Sequence, residues 1–132
     1  MTTIKEYYVS FEIAKLLKEK GFNCGTQYCY YNDETLSYNL DGSRYYNADR
    51  LSAISAPTQQ MALAWMRDKG FYINVCSVLT AAGWVACWEG FHENGTKFWS
   101  GGDSYSTIKE ATDIALKYCL KNFFSDVKRG IV

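Results

Sequence analysis

Residues 58–100 constrain the fold most strongly, because a helical pattern passes into strand patterns at a single glycine. Thr58 is a good N-cap for a helix over Gln59–Lys69, and Gly70 is a typical helix stop. Apolar residues then alternate with other residues through Phe71–Leu79, the clearest strand pattern in the chain. The predicted apolar face of the helix consists of Met61, Ala62, Trp65 and Met66.

Two turn signals extend this strand into an antiparallel meander. Ala81-Ala82-Gly83 precedes a second strand over Trp84–Phe91, and Glu93-Asn94-Gly95 precedes a third over Thr96–Ser100. We therefore expect a helix packed against three consecutive antiparallel strands.

The alternation assigns side chains to the two sheet faces, and one assignment stays open. Trp84 and Trp88 share one face of the second strand, while Glu89 lies on the other. The cost of burying Glu89 favours an inward Trp84 and Trp88, although the pattern alone allows either orientation. Rings on the outward face would belong to a second small core under Tyr28–Tyr46, to a dimer interface or to a ligand-binding floor.

The flanking segments add two helices and shorter strands. Ser10 can cap a helix from Phe11 to about Gly21, and Thr107 with Glu110 matches a capping box for a C-terminal helix. The predicted apolar face of that last helix consists of Ala111, Ile114, Ala115, Tyr118 and Phe123.

Tyrosine-rich segments between the first two helices are predicted to be strands. These strands cover Gln27–Tyr31 and Leu36–Asn39, with a short third strand at Arg44–Asn47 and a connecting loop over Ala48–Ala56. The element order is then α-β-β-(β)-α-β-β-β-α. We predict a single α+β domain over residues 1–132, a mostly antiparallel sheet with about three helices packed on one face.

Composition narrows the classes of partner. Aromatic residues make up 17% of the chain, more than a small core absorbs easily, so surplus rings should serve binding or self-association. Lys and Arg number 14, as do Asp and Glu, so no broad field attracts nucleic acid or an anionic membrane. We expect neither a membrane nor a nucleic-acid polymer as partner, and assembly into homo-oligomers is compatible with this balance.

The cysteines and the N-terminus indicate a reducing compartment. Five scattered cysteines favour reduced thiols over a disulfide framework. The first residues, Met1 to Glu6, do not resemble a secretory signal. We therefore expect a cytoplasmic protein.

Three stretches carry a resemblance to known sequences. Tyr8–Phe22, Ala56–Arg67 and Ile108–Leu120 together resemble a group of small uncharacterised proteins of gut bacteria and of their phages and prophages. The resemblance implies an intracellular protein of mobile-element origin, in the cytoplasm of a bacterial host. The group has no established activity, so no functional residue is transferred from it.

No recognisable catalytic or metal-binding set appears in the sequence. His92 is the only histidine, and a catalytic role would need an acid or nucleophile within hydrogen-bond reach. Cys24 and Cys29 form one loose pair, whereas zinc requires about four ligands. We predict no catalytic residue, no metal and no cofactor.

The segment from Lys97 to Thr107 is the most suggestive candidate site. It leads from a strand through two glycines into a helix N-terminus, where free amides attract anions. A tryptophan in such a segment could stack on a nucleotide base. An ordinary loop and helix cap would have the same composition. The candidate ligand-binding residues are Lys97, Trp99, Gly101, Gly102, Ser104, Ser106, Thr107 and Trp88.

Three function hypotheses follow. The first is a non-enzymatic binding protein that sequesters a small phosphorylated ligand, such as a nucleotide immune signal, on behalf of a phage or mobile element. The second is a protein-interaction module that inhibits or adapts a host protein through an aromatic surface. The third, ranked last for want of a catalytic set, is a small enzyme.

Overall fold

The computed structural model describes residues 7–31, 34–38, 44–47, 53–100 and 104–122. Within these ranges the chain forms three helices and six strands in the predicted order, and the α+β class is confirmed. The elements are α1 (Phe11–Glu19), β1 (Tyr28–Tyr30), β2 (Leu36–Tyr38), β3 (Ile54–Ala56), α2 (Gln59–Asp68), β4 (Phe71–Thr80), β5 (Gly83–His92), β6 (Lys97–Ser100) and α3 (Ile108–Asn122).

All three helices begin where the sequence predicts, and α1 and α2 also end there. The hydroxyls of Ser10, Thr58 and Thr107 each accept a hydrogen bond from the amide three residues further on, at 3.3, 3.1 and 3.1 Å. These bonds satisfy amides that a helix start leaves unpaired. Gly21 and Gly70, both with positive φ, follow α1 and α2 and end them as glycine commonly does.

The strands of the described residues form two antiparallel three-stranded sheets rather than one. The first has the order β2-β1-β3 and the second the order β4-β5-β6. The predicted strand at Arg44–Asn47 was wrong, since Tyr45 makes only an isolated bridge with Thr26. The third strand of the first sheet is β3, inside the predicted loop, because three residues are too few to show a period of two.

The main core lies between the helices, β1, β3 and the inner face of the second sheet. Leu17, Phe22, Met66 and Leu116 are fully buried there. The predicted face of α2 is confirmed at Ala62, Trp65 and Met66, while Met61 is half-buried. The buried face of α3 consists of Ala111, Thr112, Ala115, Leu116, Cys119 and Leu120; the predicted Ile114 and Tyr118 are half-buried, and Phe123 lies outside the described residues.

Candidate functional site

A long, regular hairpin dominates the second sheet. β4 and β5 pair residue for residue from Phe71 opposite His92 to Thr80 opposite Gly83. Trp88 is 2% exposed, and its face of the sheet is therefore the inner one. Trp84 shares that face by alternation, which resolves the orientation that the sequence left open.

The distal part of this hairpin, residues 77–85, is called the hairpin arm below. Along the inner face of β5 the exposed fraction is 2% at Trp88, 2% at Ala86 and 68% at Trp84. Leu79, directly opposite Trp84, is 63% exposed. Two large side chains on the core-facing side are thus bare, because the arm extends past the elements that cover the rest of that face.

The arm is also open along its edges. Within the described residues β4 pairs only with β5 and forms one edge of its sheet. The far side of β5 pairs with β6 and, at Ala86, with Tyr105. Beyond Ala86 the arm is a two-stranded ribbon, which is marginally stable by itself in water.

The arm lacks the features that normally protect an exposed edge strand. The chain carries no Asp, Glu, Lys or Arg between Lys69 and Glu89, and no proline. Natural proteins place charges, proline or bulges on such edges to prevent unwanted pairing. This stretch of sequence carries neither charges nor proline to protect the edge of β4.

A bulge in β6 sets the positions of the predicted aromatic ligand residues. Gly90 pairs with Trp99 and Phe91 with Lys97, so Phe98 is the extra residue. The rings of Phe98 and Trp99 consequently both reach the inner side. Trp99 stacks on Trp88 with a centroid distance of 5.3 Å and an interplanar angle of 11°, and Tyr118 of α3 lies 4.9 Å from Trp99.

Lys97 lies on the outer face, away from this stack. Its Nζ is 3.8 Å from a carboxylate oxygen of Glu89 and 5.4 Å from the ring centroid of Phe91. The structure therefore does not bring Lys97 and Trp99 to one surface. A single ligand could not take its charge contact from one and its stacking contact from the other without a rearrangement of β6.

The remaining candidate residues fall into two groups. Ser104, Ser106 and Thr107 are exposed just before α3, where Thr107 serves as the helix cap. Gly101 and Gly102 lie outside the described residues. The proposed anion loop therefore stays a prediction.

Two buried donors in the aromatic stack lack partners. The indole nitrogens of Trp88 and Trp99 have no hydrogen-bond partner among the described residues. Buried tryptophan N–H groups usually have a hydrogen-bond partner, so these two donors are exceptions.

Sequence analysis did not identify Leu79, the partner of Trp84, as a functional residue. The available signal was a mismatch of lengths: the predicted third strand is much shorter than the first two. In the structure β4 and β5 each have ten residues and β6 has four. A short third strand leaves the far end of a long hairpin uncovered.

Other classes of site find little support in the described residues. His92 packs between rings, 5.9 Å from Phe71 and 5.0 Å from Phe98. In the described ranges no group of three or more His, Cys, Asp or Glu residues is placed to hold a metal ion. Among the helices there, none has the length and apolarity needed to cross a membrane.

Comparison with protein-family models, curated proteins and solved structures finds no significant match.

Proposed function

We propose that this chain is a non-enzymatic protein-interaction domain that assembles with a second copy of itself through the hairpin arm. The observation that carries the proposal is the Leu79–Trp84 pair, two large apolar side chains bare at the end of an uncharged ribbon. Trp is the residue most enriched at the energetic centres of interfaces.

The area that these two side chains would bury is energetically significant. At about 25 cal/mol per Å², covering their exposed surface would contribute roughly 5 kcal/mol before the costs of association. Val78, on the opposite face and 41% exposed, would add to this if the partner wrapped the ribbon. One arm meeting another doubles the buried area, since an isologous contact uses each side chain twice.

Three features favour a second copy as the partner. The β4 edge is unpaired within the described residues, and an antiparallel β4–β4 contact is self-complementary. The arm is uncharged and therefore suits an apolar partner surface, and the arm of a second copy is such a surface. The net charge of zero imposes no long-range repulsion between copies.

A membrane is a less suitable partner for this arm. Membrane-binding segments combine apolar side chains with neighbouring Lys and Arg. Here the nearest flanking charges in the sequence are mixed, Lys69 before the arm and Glu89 after it. A protein is therefore better supported than a membrane as the partner of the arm.

The test is sedimentation velocity over a range of protein concentrations. The wild-type chain should show a reversible increase in sedimentation coefficient, and Trp84→Ser should shift the dimer dissociation constant at least tenfold upward. Tyr7→Ser is the matched control, because Tyr7 is an exposed ring (48%) far from the arm in sequence.

Two results would refute this assignment. One is a wild-type chain that stays monomeric at every concentration. The other is a monomeric chain that binds lipid vesicles in a flotation assay and loses that binding in Trp84→Ser. This result would assign the arm to a membrane.

We keep sequestration of a small phosphorylated ligand as a second candidate, because the two unpartnered indole donors favour a ligand that carries acceptors. Such a ligand would accept from the Trp88 and Trp99 N–H groups, and because both are buried the aromatic stack would have to open to admit it. Thermal-shift screening with nucleotides tests this, and Trp99→Phe should weaken any ligand found by about 1–3 kcal/mol through the lost donor. Equal binding by Trp99→Phe would exclude that role.

A further inference from the structure

The outer face of the hairpin carries two cysteines in direct cross-strand register. Cys76 of β4 pairs with Cys87 of β5, and their sulfur atoms lie 3.6 Å apart. Cys76 is exposed, Cys87 is partly exposed, and both are free thiols. A soluble thiol reagent can therefore reach them.

The backbone spacing at this pair suits a disulfide. Ala86 directs both its N–H and its C=O to Tyr105, each at 2.8 Å, on the far side of β5. The next residue, Cys87, consequently directs its backbone groups toward β4, so that Cys76 and Cys87 form a hydrogen-bonded pair. Such pairs have Cα atoms about 5.5 Å apart, inside the range that disulfides span. The sulfurs need only approach by a further ~1.5 Å.

We propose that Cys76 and Cys87 are a thiol–disulfide exchange site, which a small-molecule disulfide such as oxidised glutathione converts reversibly to an intramolecular bond across β4 and β5. The other thiols differ in environment: Cys29 and Cys119 are buried, and Cys24 is exposed elsewhere. The proposal does not depend on what the hairpin arm binds.

The exchange proceeds in two balanced steps. The Cys76 thiol loses its proton to solvent, and the thiolate attacks one glutathione sulfur; the S–S bond of the reagent breaks, and the leaving glutathione thiolate takes up a proton. The Cys87 thiol then loses its proton to solvent, and its thiolate attacks the Cys76 sulfur of the mixed disulfide; the bond from Cys76 to glutathione breaks, and the second glutathione leaves as a thiolate that takes up a proton. Two protein thiols are oxidised by two electrons, and one glutathione disulfide is reduced to two thiols.

The surroundings of the two thiols favour this order of events. The hydrogen bond with Cys76, followed by burial and the negative charge of Glu89, raises the pKa of Cys87. Cys76 is also the more exposed of the two residues. Cys76 is therefore the first nucleophile, and Cys87 is the resolving thiol.

The experiment equilibrates the full chain in glutathione buffers of stepped oxidised-to-reduced ratio, followed by acid quench, alkylation of free thiols and mass spectrometry. The expected oxidised product lacks two alkylatable thiols, carries no glutathione and yields a linked peptide joining Cys76 to Cys87. Cys87→Ser should instead accumulate a stable glutathione adduct on Cys76.

Two controls make the outcome specific. Cys24→Ser should form the bond at the same buffer ratio as the wild type, since Cys24 takes no part. Trp84→Ser should do so as well, which separates this site from self-association.

Three results would overturn the site. They are a linked peptide that uses other cysteines, glutathione adducts on Cys76 that Cys87 does not resolve, and an unoxidised pair when oxidised glutathione is in large excess.

Discussion

At Gly90 the close approach of a ring, rather than a turn, requires glycine. A Cβ atom at this position would overlap the ring of Phe98, which the bulge in β6 places over the strand. That ring also packs near Phe71 and Trp88, with centroid distances of 6.3 and 6.5 Å. The glycine, the bulge and the aromatic cluster therefore form one packing arrangement.

Gly90→Ala should destabilise the chain by about 1–3 kcal/mol, because an added methyl group in a filled space forces the ring to move. Urea unfolding monitored by tryptophan fluorescence measures the change. Combining Gly90→Ala with Phe98→Leu should give less than the sum of the two single costs, since the smaller side chain removes the clash. Additive losses, or an unchanged urea midpoint for Gly90→Ala, would show that the ring does not require the glycine.

Burial of Cys119 makes stability depend on alkaline pH. Desolvation in the core raises the pKa of this thiol from 9.0 to about 12. Below pH 9 the thiol is protonated in both folded and unfolded chains and has no effect. As the pH rises from 9 toward 12, only the unfolded chain loses the proton, so stability falls by up to about 1.4 kcal/mol for each pH unit.

Cys119→Ala tests this dependence. The variant should start from a lower stability because of the cavity it creates, but it should lose less stability between pH 9 and pH 11 than the wild type. The measurement is the free energy of urea unfolding at each pH. Parallel pH profiles for the two proteins would contradict the assigned cause.

At the scale of elements, the first sheet depends on the side chain of Asn47, which makes hydrogen bonds to backbone groups as a neighbouring strand would. The amide of buried Asn47 accepts from the Ser55 backbone N–H at 2.8 Å and donates to the Phe22 carbonyl at 2.8 Å. The hydroxyl of Ser55 donates to the Tyr45 carbonyl at 3.1 Å. Asn47 thus joins Phe22, in the segment just after α1, to β3, which explains how so short a strand is held in place.

Asn47→Ala should cost about 2–4 kcal/mol, because it leaves the buried Ser55 N–H and Phe22 C=O without their partner. Asn47→Asp is the matched variant, since it retains the acceptor for Ser55 and loses the donor to Phe22. Its cost should therefore differ from that of the alanine variant, and thermal unfolding measures both. An alanine variant as stable as the wild type would show that water replaces the amide.

The elements that the sequence predicts well are those with local signals. Ser10, Thr58 and Thr107 determine helix starts through bonds to residues three positions away, and the alternation in β4 and β5 depends only on neighbouring residues. β3 and the Asn47 contacts depend on partners distant in the chain, which no local pattern reveals. The separation of Lys97 from Trp99 follows from a bulge, which reverses the alternation at one residue.

At the scale of the whole molecule, the expected surplus of aromatic surface is present, and it is unevenly distributed. Trp65 and Trp88 are buried, whereas Trp84 is the most exposed large hydrophobic side chain in the described ranges, at 68%. Exposed tyrosines lie outside the arm, among them Tyr38 of β2 and Tyr72 near the start of β4. In the part of the chain that the structure describes, an exposed tryptophan, an uncharged segment and an open edge coincide only at the arm.

The pairing pattern identifies which backbone groups a second copy would cover. Cys76 directs its backbone N–H and C=O groups toward β5. Because this direction alternates from one strand residue to the next, the backbone groups of Val75, Ser77 and Leu79 point to the open edge of β4. A β4–β4 contact would bond these outward amides and leave the inward ones unchanged.

Amide hydrogen exchange of Ser77 and Leu79, resolved by NMR at several protein concentrations, tests the central claim most directly. Self-association through the arm predicts that both amides exchange rapidly in dilute solution, become protected as concentration rises, and stay unprotected in Trp84→Ser. Exchange rates for these two amides that do not change with concentration in the wild-type protein would contradict the account.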